Sequence, residues 1–155
     1  MNITMTIQII SGFIGSFAFA FLYNIRGKKL IFAGLGSLIA VGSYILLAEI
    51  IDSTAICYFI VAAMISIYAE IMARVMKSPT TTFIPLALIP LVPGSALYYT
   101  MAYVFDSDWN SFLEKAIYTM SLTVALALGI VLISAMTKMI NKEKTWKSEL
   151  KTKLN

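Results

Sequence analysis

The chain has 155 residues, of which 59% are hydrophobic and 13% are charged, and its mean hydropathy is +0.84. Because an ordinary soluble domain carries about 25% charged residues, this composition indicates an integral membrane protein. The single cysteine excludes an intramolecular disulfide, and the absence of histidine removes the commonest general base and metal ligand. We therefore expect no enzyme activity, no catalytic residue, no metal site and no cofactor.

Five apolar runs follow one another along the chain, and each is close to the ~20 residues that a membrane-spanning helix requires. They cover about residues 3–23, 30–48, 54–73, 81–104 and 116–137. The linkers between them are short, and a basic tail covers residues 138–155. The sequence thus predicts an all-α, polytopic membrane protein with five transmembrane helices.

The charged residues alternate between the two ends of these runs. All basic residues except Lys115 lie in the first linker, the third linker or the tail. The second and fourth linkers are acidic and include Glu49, Asp52, Asp106 and Asp108. By the positive-inside rule, the N-terminus is outside the plasma membrane and the C-terminus is cytoplasmic. This topology explains the basic residues, so no nucleic-acid partner is expected.

The fourth run contains Pro85, Pro90, Pro93 and Gly94, although it is apolar enough to span a bilayer. Each proline removes a backbone donor, and such a break survives in lipid only where protein or a water-filled cavity satisfies the freed groups. Interrupted helices of this kind are typical of transporter binding sites. We expect Gly94 to turn freely and Ser95 to cap a fresh half-helix whose N–H groups suit a carboxylate.

The residues around the break leave an alternative open. Ile84, Ile89 and Val92 each precede a proline, which favours extended geometry. The hydroxyl of Tyr98 could bind a polar solute, or Tyr98 could belong to an aromatic belt. The whole break could also be a proline kink that only shapes the bundle. The candidate substrate-binding residues are Pro90, Pro93, Gly94, Ser95 and Tyr98.

Glu70 and Arg74 are spaced by four residues at the end of the third run. An ionisable residue within a membrane segment is a functional candidate, so this pair could couple transport to protons or gate the cytoplasmic mouth. The alternative is a salt bridge that reaches the lipid headgroups.

Small residues recur at helical spacing and predict close helix packing in a bundle, without indicating a substrate. They are Gly12, Ser16 and Ala20 in the first run, Ala33, Gly36, Ser37, Ala40 and Ser43 in the second, and Ser121, Ala125 and Gly129 in the fifth.

The segment 69–99, AEIMARVMKSPTTTFIPLALIPLVPGSALYY, resembles the C-terminal half of the threonine/serine exporter family. The similarity lies on Glu70, Arg74, Lys77, Pro79 and the P-x₄-P-L-V-P-G pattern of residues 85–94, and it extends over about residues 10–135. Members of this family export small hydroxylated amino acids or, in some split versions, dicarboxylates such as succinate.

The resemblance implies that this chain is the smaller, five-span subunit of a split secondary transporter. Its implied partners are a larger family member that carries the N-terminal half, the lipid bilayer and a small-molecule solute with a carboxylate. The alternative is a non-transporting membrane subunit that stabilises or regulates a larger partner.

Overall fold

The computed structural model describes the backbone of residues 3–153, together with the side chains of residue 7 and of residues 9–140. Regular structure within this part is helical. The helices are α1 (Ile3–Leu22), α2 (Lys28–Ala48), α3 (Thr54–Val75), α4 (Ile84–Leu88), α5 (Gly94–Phe105) and α6 (Trp109–Lys153), with 3₁₀ turns at Thr80–Thr82 and Ile89–Leu91. The predicted all-α class is confirmed.

Three helices are long and apolar enough to cross a membrane: α2, α3 and the part of α6 from Trp109 to Ile140. The segments Thr80–Leu91 and Gly94–Phe105 pass the same test together and are bent by 57°, so the predicted break in the fourth run is confirmed. α1 supplies a shorter apolar helix over Ile9–Leu22. The whole of α1 has 20 residues, which corresponds to about 30 Å.

The last helix begins earlier than the sequence indicated. The fourth linker was expected to reach Lys115, but α6 starts at Trp109. Asp108 caps this helix, because its carboxylate accepts a hydrogen bond of 3.2 Å from the Ser111 N–H. Hydrogen bonds from the side chain of Ser111 and from its backbone N–H hold the pKa of the Asp108 carboxyl below its usual value. The helix then continues without interruption past residue 137, while the tail side chains beyond Ile140 lie outside the described residues.

Small residues lie where the helices cross. A β-carbon on Gly36 of α2 would lie 3.0 Å both from the Ala87 β-carbon and from the Tyr68 ring. A β-carbon on Gly129 of α6 would lie 2.7 Å from the carbonyl oxygen of Phe59 on α3. Both glycines therefore permit backbone approaches that a side chain would prevent, as expected for helix packing in lipid. Other predicted small residues that are buried are Ser16, Ala20, Ala33, Ser37, Ala40 and Ala125.

The two halves of the broken span have different neighbours. α4 packs against α2 and α3, and its residues Leu86 and Ala87 are buried. α5 packs mainly against α6, where the hydroxyl oxygens of Thr100 and Thr119 lie 3.2 Å apart. The bend therefore directs the second half of the span away from α2 and towards α6.

Candidate functional site

A cavity of about 490 Å³ lies at the break. Its walls come from α1, α2, α3 and the broken segment, through Ser11, Gly12, Gly15, Val41, Tyr44, Tyr58 and residues 89–95. None of these lining residues carries a charged side chain. Because Tyr44 is near the end of α2 and Tyr58 near the start of α3, the cavity lies in the half of the bundle closest to the α2–α3 loop.

Pro93 makes the break. It has φ −75° and ψ 59°, and the Gly94 N–H donates a hydrogen bond of 2.7 Å to the Val92 carbonyl across it. This is an inverse γ-turn. Val92 takes extended angles, with φ −58° and ψ 124°, as expected for a residue before proline. The first helical segment therefore ends at Leu91 and a new one begins at Gly94.

Pro85 and Pro90 do not interrupt the backbone in the same way. Each lies at one of the first two positions of its helical segment, where a missing N–H leaves no hydrogen bond unmade. The expectation of extended geometry is wrong for Ile84, which begins α4, and for Ile89, which has φ −48° and ψ −47°. The restriction before proline disfavours helical angles without forbidding them, and here the packing of α4 against α2 outweighs it.

The break leaves backbone donors free at the start of α5. The N–H of Leu97 donates to the Pro93 carbonyl at 3.0 Å, and the N–H of Gly94 is used in the turn. Among the backbone hydrogen bonds of the described residues, the N–H groups of Ser95 and Ala96 have no acceptor. Such groups carry partial positive charge and suit a carboxylate.

The break also frees a backbone acceptor. In a continuous helix the Pro90 carbonyl would accept from the residue three or four positions later. Pro93 has no N–H, and the N–H of Gly94 is directed to Val92 instead. Pro90 and Ser95 both line the cavity, so its wall includes a residue with an unused backbone acceptor and a residue with an unused backbone donor.

Four of the five predicted substrate-binding residues line this cavity: Pro90, Pro93, Gly94 and Ser95. The structure does not bring the fifth, Tyr98, into the lining. Tyr98 is 70% exposed, and its ring packs edge-on against that of Tyr99 with the centroids 5.5 Å apart. This placement leaves the role of Tyr98 a prediction.

Two expectations about the start of α5 are wrong. Ser95 does not cap the helix, because the helix begins at Gly94 with Pro93 at the capping position and without a side-chain cap. Gly94 does not need left-handed angles, since Gly27 is the one glycine with positive φ among the described residues. A β-carbon on Gly94 would meet no atom within 4 Å. The inverse γ-turn at Pro93, and not the glycine, makes the turn.

Sequence reasoning missed the cavity walls supplied by other helices. Tyr44 and Tyr58 form an edge-to-face pair, with centroids 5.3 Å apart and an interplanar angle of 85°. In the sequence both lie near the ends of apolar runs, where tyrosines of the interfacial belt also occur. Gly12 was noted only as a packing residue, and Ser11 and Gly15 gave no signal.

Glu70 and Arg74 lie one turn apart near the end of α3, with Glu70 half-buried and Arg74 exposed. Neither lines the cavity at the break. Their coupling or gating role stays a prediction.

A second, smaller cavity of about 150 Å³ lies at the other end of the first half of the broken span. Its lining residues are Tyr23, Ile25, Thr81, Thr82, Pro85 and Leu86. Along the chain, Ala87 and Leu88 lie between the residues that line the two cavities, and Ala87 is buried. The broken span therefore has a cavity near each end of its first half, separated by packed residues.

The sequence profile described as threonine/serine exporter, ThrE, matches residues 8–136, which is most of the chain. The chain belongs to the threonine/serine exporter family. The predicted resemblance is therefore confirmed. No curated protein and no solved structure gives a match.

Membership of the threonine/serine exporter family makes the chain a subunit for amino-acid export and not an enzyme. It also agrees with the helices of spanning length, which make this a multi-pass membrane protein. The matched region includes the whole broken span and every residue that lines the larger cavity.

Proposed function

We propose that this chain is a half-subunit of a secondary transporter that exports a small, carboxylate-bearing metabolite across the plasma membrane. It acts with a larger family member that carries the N-terminal half. The observation that carries the proposal is the cavity at the break, whose lining includes Ser95, and the N–H groups of Ser95 and the next residue, Ala96, make no backbone hydrogen bond. The substrate carboxylate accepts hydrogen bonds from these groups at the start of α5.

The lining favours a threonine- or serine-like amino acid over a dicarboxylate such as succinate. A dicarboxylate brings two negative charges, and none of the described lining residues is cationic. A zwitterion has no net charge, so its transfer from water requires less compensation. Its ammonium group can donate to the carbonyl freed at Pro90.

The orientation that the charges predict assigns the two cavities to opposite faces of the membrane. With the basic linkers in the cytoplasm, the larger cavity lies in the outer half of the membrane and the smaller one near the cytoplasmic face. A substrate would pass between them by movement of the segment around Ala87 and Leu88, which separates the two linings. Glu70 and Arg74 lie near the cytoplasmic mouth in this orientation, where they are either a coupling or gating pair or a salt bridge that stabilises the chain.

The direct test is reconstitution with the partner. The chain would be co-purified in mild detergent with a larger family member from the same cell and placed in proteoliposomes. We expect labelled serine and threonine to be transported, and succinate to be transported poorly. Vesicles with either chain alone are the control. Full-rate transport by one chain alone would contradict the half-subunit proposal, and transport of succinate in preference to serine would contradict the substrate assignment.

A further inference from the structure

Tyr44 and Tyr58 are the largest polar side chains in the cavity, and they come from helices other than the broken one. Their edge-to-face contact, with centroids 5.3 Å apart, joins α2 to α3 at the wall of the cavity. Ring contacts of this kind hold both side chains in defined positions. The pair is therefore a fixed feature of the wall.

The two hydroxyl groups have no structural use within the described residues, where neither makes a hydrogen bond to the protein. Tyr68, which lies outside the cavity, shows the contrast. Its hydroxyl donates a hydrogen bond of 2.7 Å to the Phe32 carbonyl and so ties α3 to α2. The hydroxyl groups of Tyr44 and Tyr58 can therefore form hydrogen bonds with a bound solute, whereas that of Tyr68 already bonds the Phe32 carbonyl.

The backbone groups of the break cannot select among amino acids. The N–H groups of Ser95 and Ala96 would bind the carboxylate, and the Pro90 carbonyl would accept from the ammonium group, which all amino acids share. Discrimination between serine and alanine requires a partner for the side-chain hydroxyl. A site built to hydrogen-bond a hydroxyl rejects an analogue without it, because the polar groups of the site are then left unpaired.

We propose that Tyr44 and Tyr58 are the residues that make the transporter selective for hydroxylated amino acids, by hydrogen-bonding the side-chain hydroxyl of the substrate. This inference rests on the proposed function, since it takes the cavity at the break as the substrate site. It adds the determinant of specificity, which neither the family nor the broken helix supplies.

The test compares serine with alanine in proteoliposomes that contain the chain and its partner. The variants Tyr44→Phe, Tyr58→Phe and the double variant keep the rings and remove only the hydroxyl groups. We expect the kcat/KM ratio of serine to alanine to fall about threefold to tenfold for each hydroxyl that contacts the substrate. The fall should come from slower serine transport, with alanine transport unchanged. The matched control, Tyr68→Phe, should lower stability in detergent and leave the ratio unchanged.

The outcomes separate the two proposals. If wild-type vesicles transport serine and the double variant keeps the wild-type ratio, the role of the tyrosines is refuted and the proposed function stands. An equal loss of serine and alanine transport would also refute it, because that result indicates a packing role for the rings. If the wild-type pair transports neither serine nor threonine, the proposed function fails and the tyrosine assignment fails with it.

Discussion

Gly12 on α1 packs directly against Pro90 of the broken span, so that a β-carbon at position 12 would lie 3.1 Å from the Pro90 β-carbon. The same β-carbon would lie 3.2 Å from Val41 on α2. Gly12 therefore sets the distance between the first helix and the broken one, at the edge of the cavity. Gly15 lines the same cavity, but a β-carbon there would meet no atom within 4 Å.

Replacing these two glycines should distinguish an effect on helix packing from an effect on the space available to the substrate in the cavity. Gly12→Val should push α1 away from Pro90 and destabilise the protein by about 1–3 kcal/mol. Gly15→Val should leave abundance normal and reduce export, because its side chain occupies the cavity without displacing a helix. Membrane abundance, melting temperature in detergent and serine export measure both effects. Full export by Gly15→Val would place the substrate elsewhere, for instance on the partner chain.

Pro93, rather than Pro90, should be essential to the break. Alanine is favoured over proline by about 3 kcal/mol in a helix interior, so Pro93→Ala should let the helix close and occupy the free N–H groups of Ser95 and Ala96. We expect normal insertion, an equal or higher melting temperature, and export reduced more than about tenfold, since a lost charge-assisted hydrogen bond weakens binding by about that factor or more.

Pro90→Ala is the matched control for this substitution. Pro90 occupies an early position in its 3₁₀ turn, so the variant should keep the turn at Pro93 and most of its export. Export at the wild-type rate by Pro93→Ala, at normal abundance, would show that the break is only a packing kink.

Gly129 should be intolerant of even one methyl group. Its β-carbon would lie 2.7 Å from the Phe59 carbonyl oxygen and 2.8 Å from the Ala62 β-carbon, so α3 and α6 must separate in Gly129→Ala. We expect a loss of about 1–3 kcal/mol in stability, seen as a lower melting temperature. Gly42→Ala is the control, because a β-carbon on Gly42 meets open space. A melting temperature equal to wild type in Gly129→Ala would exclude this close contact.

Replacing Glu70 should change the amount of protein in the membrane more than the export rate per molecule. It is half-buried and does not line the cavity at the break, so we expect Glu70→Gln to lower membrane abundance while export per molecule changes little. Glu49→Gln, at the exposed end of α2, should change neither quantity. Loss of export by Glu70→Gln at normal abundance would instead assign Glu70 to proton coupling.

The orientation of the chain in the membrane can be measured by labelling introduced cysteines. Asp52→Cys should react with an impermeant thiol reagent added outside intact cells, and Lys28→Cys should react only after the membrane is permeabilised. Cys57 is buried and should give little background. A reporter fused after Asn155 should read as cytoplasmic. The opposite labelling pattern would reverse the direction assigned to the two cavities.

The amino-acid sequence determined the family, the helical class and the place of the break. Apolar length and charge alternation are local properties, and they fixed the helices α2 and α3 to within two residues of the predicted bounds. A proline acts on its own turn of helix, so the prolines together with Gly94 predicted the interruption without any tertiary information, whereas the structure showed that Pro93 makes it. The start of α6 was missed because the Asp108 cap was not recognised.

Only the tertiary structure decided which residues face one another at the break. Tyr44, Tyr58 and Gly12 lie on three different helices, and their convergence on residues 89–95 depends on the packing of α1, α2 and α3. That packing depends on close approaches at positions such as Gly36 and Gly12, which act between distant parts of the chain. Contacts between distant parts of the chain leave no local pattern in the sequence. The sequence therefore identified the broken helix but not the other walls of its cavity.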